Sequence, residues 1–233
     1  MGEARDRLSG GVRQRYLAPH VWLCVAAMLA AQLIAFCATR PLLAFLTIRD
    51  YSLPLDAAIP FVPEWVIVYC LAYISWAASG VIILAQDKPH CYRMAAAYIL
   101  SMLVAGIIFL AWPGTLDRPE IAGTGLCRDL LRWIYRVDNP AYNLCPSLHV
   151  MVSYFCWRGL LSCRRIPAWF KAFNLAFLVL VCLSVVYVKQ HVLIDIPAAV
   201  LVGEGSLQAA RLWKLERIPY AVERRFAARR SGK

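Results

Sequence analysis

Three apolar runs set the terms for this chain: His20–Ala38, Trp65–Ala85 and Met94–Trp112. Each is long enough as a helix, about 20 residues, to cross a hydrocarbon layer about 30 Å thick. A fourth run, Ala172–Val188, is shorter but equally apolar. Two further stretches, Pro146–Ser162 and His191–Ala210, have the length but carry His149 and Arg158 in one, Asp195 and Glu204 in the other. An ionisable residue inside a span is costly and marks function, so these two stretches carry most of the information. The composition agrees: 61% of residues are hydrophobic and 17% charged, against about 45–50% and about 25% in soluble domains. The expected fold is all-α, a polytopic membrane protein with six transmembrane helices over residues 20–210. Basic tails, 1–19 and 211–233, flank it.

Six spans put both tails on one side. Eighteen of the 25 Lys and Arg residues then share that side, which the positive-inside rule makes cytoplasmic. The reading is a multi-pass protein of the plasma (inner) membrane, with loops at about 39–64, 113–145 and 189–190 facing outward. A net charge of +11 follows from this arrangement, and the chain has no nucleic-acid-binding motif. The first run reads as a retained span, because no small-x-small cleavage site lies near it and Phe36 precedes Cys37. The N-terminal tail, with Gly10-Gly11 and mixed charge, reads as disordered. The basic, aromatic stretch after Arg211 suits either anionic inner-leaflet lipid or solvent. The nine cysteines form no CxxC pair. Cys127 and Cys145 flank the outer loop and could pair if that side is oxidising.

Within the outer loop, Leu126, Leu130, Ile134 and Val137 recur at helical spacing. Arg128, Arg132 and Arg136 form a separate stripe. The spacing predicts an amphipathic helix over 126–137. It either caps the bundle or lies in the outer headgroup layer, with its arginines toward anionic lipid heads.

Of the four histidines, His149 and His191 fall at the outer ends of the two polar-bearing spans. Asp195 follows His191 at i+4, the spacing of one helix face. A carboxylate there fixes the imidazole tautomer and stabilises its charge. Ser147 offers a hydroxyl, and Pro146 suits the first turn of a helix whose free N–H groups attract an anion. Arg118 in the outer loop and Lys189 beside His191 supply cations. Phosphoryl transfer needs chiefly positioning and charge neutralisation, so this inventory suffices for it. No acidic cluster suited to magnesium is visible, and no cofactor or metal is expected.

Arg118-Pro119, then Pro146-Ser147-Leu148-His149, then His191 followed by Asp195 together resemble the phosphatidic acid phosphatase type 2 superfamily. These are integral membrane lipid phosphatases and phosphotransferases. The second motif matches fully. The first has Ala111 in place of the family lysine, and the third keeps Ser184 but has Val185 in place of the arginine. Lys189 stands near enough to replace one missing cation. "PSLH" with Lys-Gln-His is similar to the branch that includes inositol phosphorylceramide synthase. The resemblance implies a metal-independent double displacement at the extracytoplasmic face. His191 would be the nucleophile oriented by Asp195, His149 the general acid and base, and Arg118, Ser147 and Lys189 the phosphate-binding groups.

Three functions stay open at this point. The first is hydrolysis of a lipid mono- or diphosphate of the phosphatidate or polyprenyl-phosphate type. The second is phosphotransfer to an alcohol through the same phosphohistidine. The third is non-catalytic lipid binding or transport on the same scaffold. The substrate partner in each is a lipid phosphate, and the oligomeric state is open.

Overall fold

The computed structural model describes residues 14–43 and 45–230. Most of the N-terminal tail, with Gly10-Gly11 and its expected disorder, lies outside the described residues, as do residues 231–233. The chain is mostly helical. Helix α1 (Pro19–Leu33) runs through a π turn (Ile34–Ala38) into a short α2 (Arg40–Leu43). After strand β1 (Arg49–Asp50) come α3 (Pro54–Ala58), α4 (Val66–Leu84) and α5 (Lys88–Ala111). Strand β2 (Gly114–Thr115) precedes α6 (Leu126–Val137), α7 (Leu148–Ser162), α8 (Ala168–Tyr187), α9 (Asp195–Leu212) and α10 (Arg217–Arg230).

Four helical stretches are long and apolar enough to cross a membrane: Pro19–Leu43, Pro63–Leu84, Lys88–Ala111 and Ala168–Tyr187. Their ends follow local chemistry rather than hydropathy alone. Helix α5 starts at Lys88, ahead of the apolar run at Met94, because the Asp87 side chain accepts the His90 N–H at 2.9 Å. Pro89 fits the first turn, where its missing N–H costs nothing.

The two stretches with ionisable residues form α7, of 15 residues, and α9, of 18. Both are enclosed. Helix α7 buries ten of its fifteen residues and packs against α4, α8 and α9. Gly159 permits the closest approach: a Cβ there would stand 2.7 Å from Ile83 Cδ1. Helix α9 turns one stripe, Asp195, Ala199, Gly203, Leu207 and Ala210, inward against α5 and α7. Several polar side chains inside the bundle find partners, which lowers the cost of burying them. Glu204 accepts Arg158 Nε at 2.9 Å and Nη2 at 2.8 Å, and the Tyr154 hydroxyl at 2.7 Å. Trp76 Nε1 donates to Ser153 Oγ at 2.8 Å.

The connections on the side of Asn143 differ from simple loops. β1 pairs in parallel with β2, Arg49 opposite Gly114, and Gly114 bridges in turn to Asn143. Helix α6 occupies the predicted residues, but its buried face is rotated from the expected stripe. Leu131 and Ile134 are buried, whereas Leu126 and Val137 are exposed. Its arginines are partly engaged. Arg128 pairs with Glu64 at 3.2 Å, and Arg132 bonds Asp129 and the carbonyls of Ile121 and Gly123. Arg136 is exposed.

The C-terminal stretch is not a plain tail. Glu223 on α10 pairs with Lys88 at 2.8 Å and accepts the Tyr92 hydroxyl. Arg93 reaches Glu216 at 3.2 Å. These pairs dock α10 on the start of α5.

Candidate active site

The turn between α8 and α9 carries His191. It is not a helical turn: His191 precedes α9, and Asp195 is that helix's first residue. The i, i+4 spacing therefore works across a tight non-helical turn. His191 Nδ1 lies 2.9 Å from Asp195 Oδ2, which also accepts the Val192 N–H at 3.1 Å. Asp195 is fully buried. With Nδ1 so held, Nε2 is the nitrogen left free to react.

Residues outside the predicted set hold this turn. Asp56 Oδ1 accepts the Leu193 N–H at 2.8 Å, and its Oδ2 accepts the Leu53 N–H at 2.8 Å. The Tyr135 hydroxyl donates to the Val188 carbonyl at 2.7 Å, tying α6 to the same turn. Lys189, at φ +49°, points its ammonium at the carbonyls of Asp56 and Ile59, 2.8 and 2.7 Å away. The structure thus directs two of the ammonium's three donors to the α3 segment, so Lys189 clamps the turn.

Ser147 is the N-cap of α7. Its Oγ accepts the Val150 N–H at 3.4 Å, and it is fully buried. Pro146 lies outside the helix, one residue before the cap, rather than in its first turn. As acceptor the hydroxyl serves the helix start, and its O–H remains a donor. The Ser147 N–H reaches the Asp195 carbonyl at 3.4 Å and joins the two motif segments. His149 follows in the first turn of α7. Its ring stacks on Tyr69 at 3.9 Å between centroids and meets Trp76 at 5.0 Å and Tyr73 at 5.4 Å.

Arg118 lies over the Tyr135 ring at 4.6 Å. Its Nη2 donates to Asp138 Oδ2 at 2.5 Å and to Gln190 Oε1 at 2.6 Å. Asn143 donates to the Phe36 carbonyl at 2.7 Å, where the π turn of α1 redirects the helix carbonyls. Such turns recur at functional sites.

His149 and His191 line one cavity of about 740 Å³, together with Asp138, Asn143 and Gln190. Five buried side-chain polar atoms lack a hydrogen-bond partner among the described residues: Arg118 Nε, Asn143 Oδ1, His149 Nε2, Gln190 Nε2 and Asp195 Oδ1. Asn143, His149 and Gln190 line the cavity, and Arg118 and Asp195 each bond a lining residue. Each such atom costs about 1–3 kcal/mol if left unpaired, so their convergence marks a place built for a polar ligand.

Cys145 borders the site, and burial, followed by the neighbouring Asp195 carboxylate, pushes its thiol up to about 12. It and Cys127 are both free thiols. Ala111 and Val185, where the resemblance anticipates cations, lie at the end of α5 and buried in α8. Asp56, Asp138, Asn143 and Gln190 escaped the sequence reading. Only Gln190, beside His191, offered a local signal. No family model, curated protein or solved structure matches this chain.

Proposed function

We propose that the protein is an integral membrane lipid phosphate phosphatase of the phosphatidic acid phosphatase type 2 kind, with six spans, both tails cytoplasmic and the site at the outer face. In this arrangement α7 is an inner span, and α9 turns its buried stripe away from lipid. That placement is what lets them carry His149, Arg158, Asp195 and Glu204.

The observation that carries the reading is the convergence at one cavity. His191, backed by Asp195, and the second imidazole of His149 line it together with Asn143 and Gln190, and Arg118 bonds Gln190; these residues hold every orphaned side-chain polar atom among the described residues. A phosphoryl group answers the donors of this set. Its oxygens accept from Arg118 Nε, Gln190 Nε2 and the first-turn amides of α7, where an anion is favoured.

In the first step the lone pair on His191 Nε2 attacks phosphorus. The bond from phosphorus to the lipid oxygen breaks, and His149 gives that oxygen a proton. In the second step His149 takes a proton from water, the hydroxyl attacks phosphorus, and the P–N bond breaks to release phosphate. Asp195 holds the imidazole orientation throughout and balances its positive charge.

The test is purified protein with a panel of lipid mono- and diphosphates, measuring free phosphate and any new phospholipid. Phosphate release that His191→Ala abolishes is the expected result. Equal release by the alanine variant refutes the assignment, and a new phospholipid without free phosphate makes the enzyme a transferase.

A further inference from the structure

The cavity does not stop at the histidines. From Asn143, His149 and His191 it continues between α1 and α4, past Tyr73 and Gly80, to Trp22 and Leu84. Tyr69 and Leu84 both line it and are fifteen residues apart on α4, or about 22 Å at 1.5 Å per residue. Trp22 and Phe36 line the facing wall on the α1 side, about 21 Å apart by the same rule. Below the histidines the lining is almost wholly apolar. Helix α1 packs along α5 and makes far less contact with α4. Its 18-residue apolar window is only 17% buried, the least of the four apolar stretches.

We infer that this cavity is a tail channel, which takes one hydrocarbon chain of a lipid phosphate along α4 while the phosphate meets His191, and that Gly80 sets its usable depth. The inference rests on the phosphatase reading for its head group and adds the substrate class: a lipid whose chain is drawn into the protein from between α1 and α4. An apolar cavity is poorly filled by water, and a chain covalently joined to an anionic head satisfies both ends at once. Gly80 stands about 16 Å along α4 from Tyr69, and a Cβ at Gly80 would meet nothing within 4 Å. Gly80 lines the cavity, so a larger side chain there has open space in which to narrow it.

The experiment compares wild type and Gly80→Phe in lipid nanodiscs with octyl, dodecyl and hexadecyl phosphate. For wild type, kcat/KM should rise about tenfold or more from the shortest to the longest chain, since each buried methylene contributes. Gly80→Phe should keep the octyl value and lose the rise. Parallel profiles for the two proteins overturn the channel while leaving the phosphatase reading intact. Binding is read separately through quenching of tryptophan fluorescence by alkyl phosphates brominated at the chain end. Trp22→Phe should remove most of that quenching. Quenching that is indifferent to Trp22 overturns the channel, even if no substrate is turned over. Absence of phosphate release from every lipid, with Trp22 still quenched, instead overturns the phosphatase reading alone.

Discussion

Asp195 Oδ2 sits 2.9 Å from His191 Nδ1 and is held in place by the Val192 N–H at 3.1 Å. One carboxylate oxygen thus fixes both the turn and the tautomer of the proposed nucleophile. Asp195→Asn keeps the shape but offers an amide in place of the acceptor. It should lower kcat by roughly 10²–10⁴-fold with little change in thermal stability. Steady-state phosphate release and a melting curve on the same preparation check this. Unaltered kcat contradicts the role given to the pair.

Arg118 and Lys189 separate by their partners: Arg118 bonds Asp138 and Gln190, Lys189 two backbone carbonyls. Lys189 donates to two carbonyls of the α3 segment, so Lys189→Met should lower Tm and leave KM within about threefold. Arg118 keeps an unpartnered Nε at the site. Arg118→Lys should weaken inhibition by vanadate, a phosphoryl mimic, by about tenfold or more, because an ammonium cannot reproduce the guanidinium fork. Titration of both variants with vanadate tells the roles apart. A larger loss for Lys189→Met reverses the assignment.

The bundle was legible where apolar length alone decides structure, as in α1, α4, α5 and α8. The two polar-bearing stretches were legible as helices, and what α7 lacks in hydropathy is explained by enclosure, since it buries ten of its fifteen residues, while α9 buries the one stripe that carries Asp195. The site was legible as His149, His191, Asp195 and Arg118, because each stands in a short motif of distinctive chemistry. The turn geometry was not. Four residues from His191 to Asp195 suit a helix face as well as a tight turn, and only the packing of α9 decides between them. Asp56 could not be foreseen, because its partner Leu193 lies 137 residues away. The carbonyl contacts of Lys189 were hidden for a related reason: Asp56 and Ile59 lie more than 100 residues away in the chain.

Asp56 bridges two backbone N–H groups, of Leu53 and Leu193, at 2.8 Å each. Removing the carboxylate leaves both without a partner, at about 1–3 kcal/mol apiece. Asp56→Ala should therefore lower Tm by several degrees and reduce kcat more than it raises KM, because the turn bearing His191 loosens. Thermal melting paired with kinetics checks this. A variant with wild-type Tm and kcat shows that the clamp is idle.

Cys145 carries a thiol pushed up to about 12 by burial and then by Asp195. Below that value it is a neutral thiol, and only the thiolate is alkylated. Its reaction with iodoacetamide should climb about tenfold per pH unit from pH 7 to 10 without levelling. Asp195→Asn, which removes the neighbouring charge, should speed it. Mass spectrometry of the Cys145 peptide after timed alkylation reads both effects. A plateau near pH 9 contradicts the shift.

The most direct measurement is to mix the purified protein with a lipid phosphate, quench within the first turnover, and map covalent phosphate by mass spectrometry under conditions that preserve phosphoramidates. With Nδ1 held by Asp195, the account predicts acid-labile phosphate on His191, attached at Nε2, and none in His191→Ala. Sustained turnover with His191 unmodified, or phosphate on another residue, contradicts it.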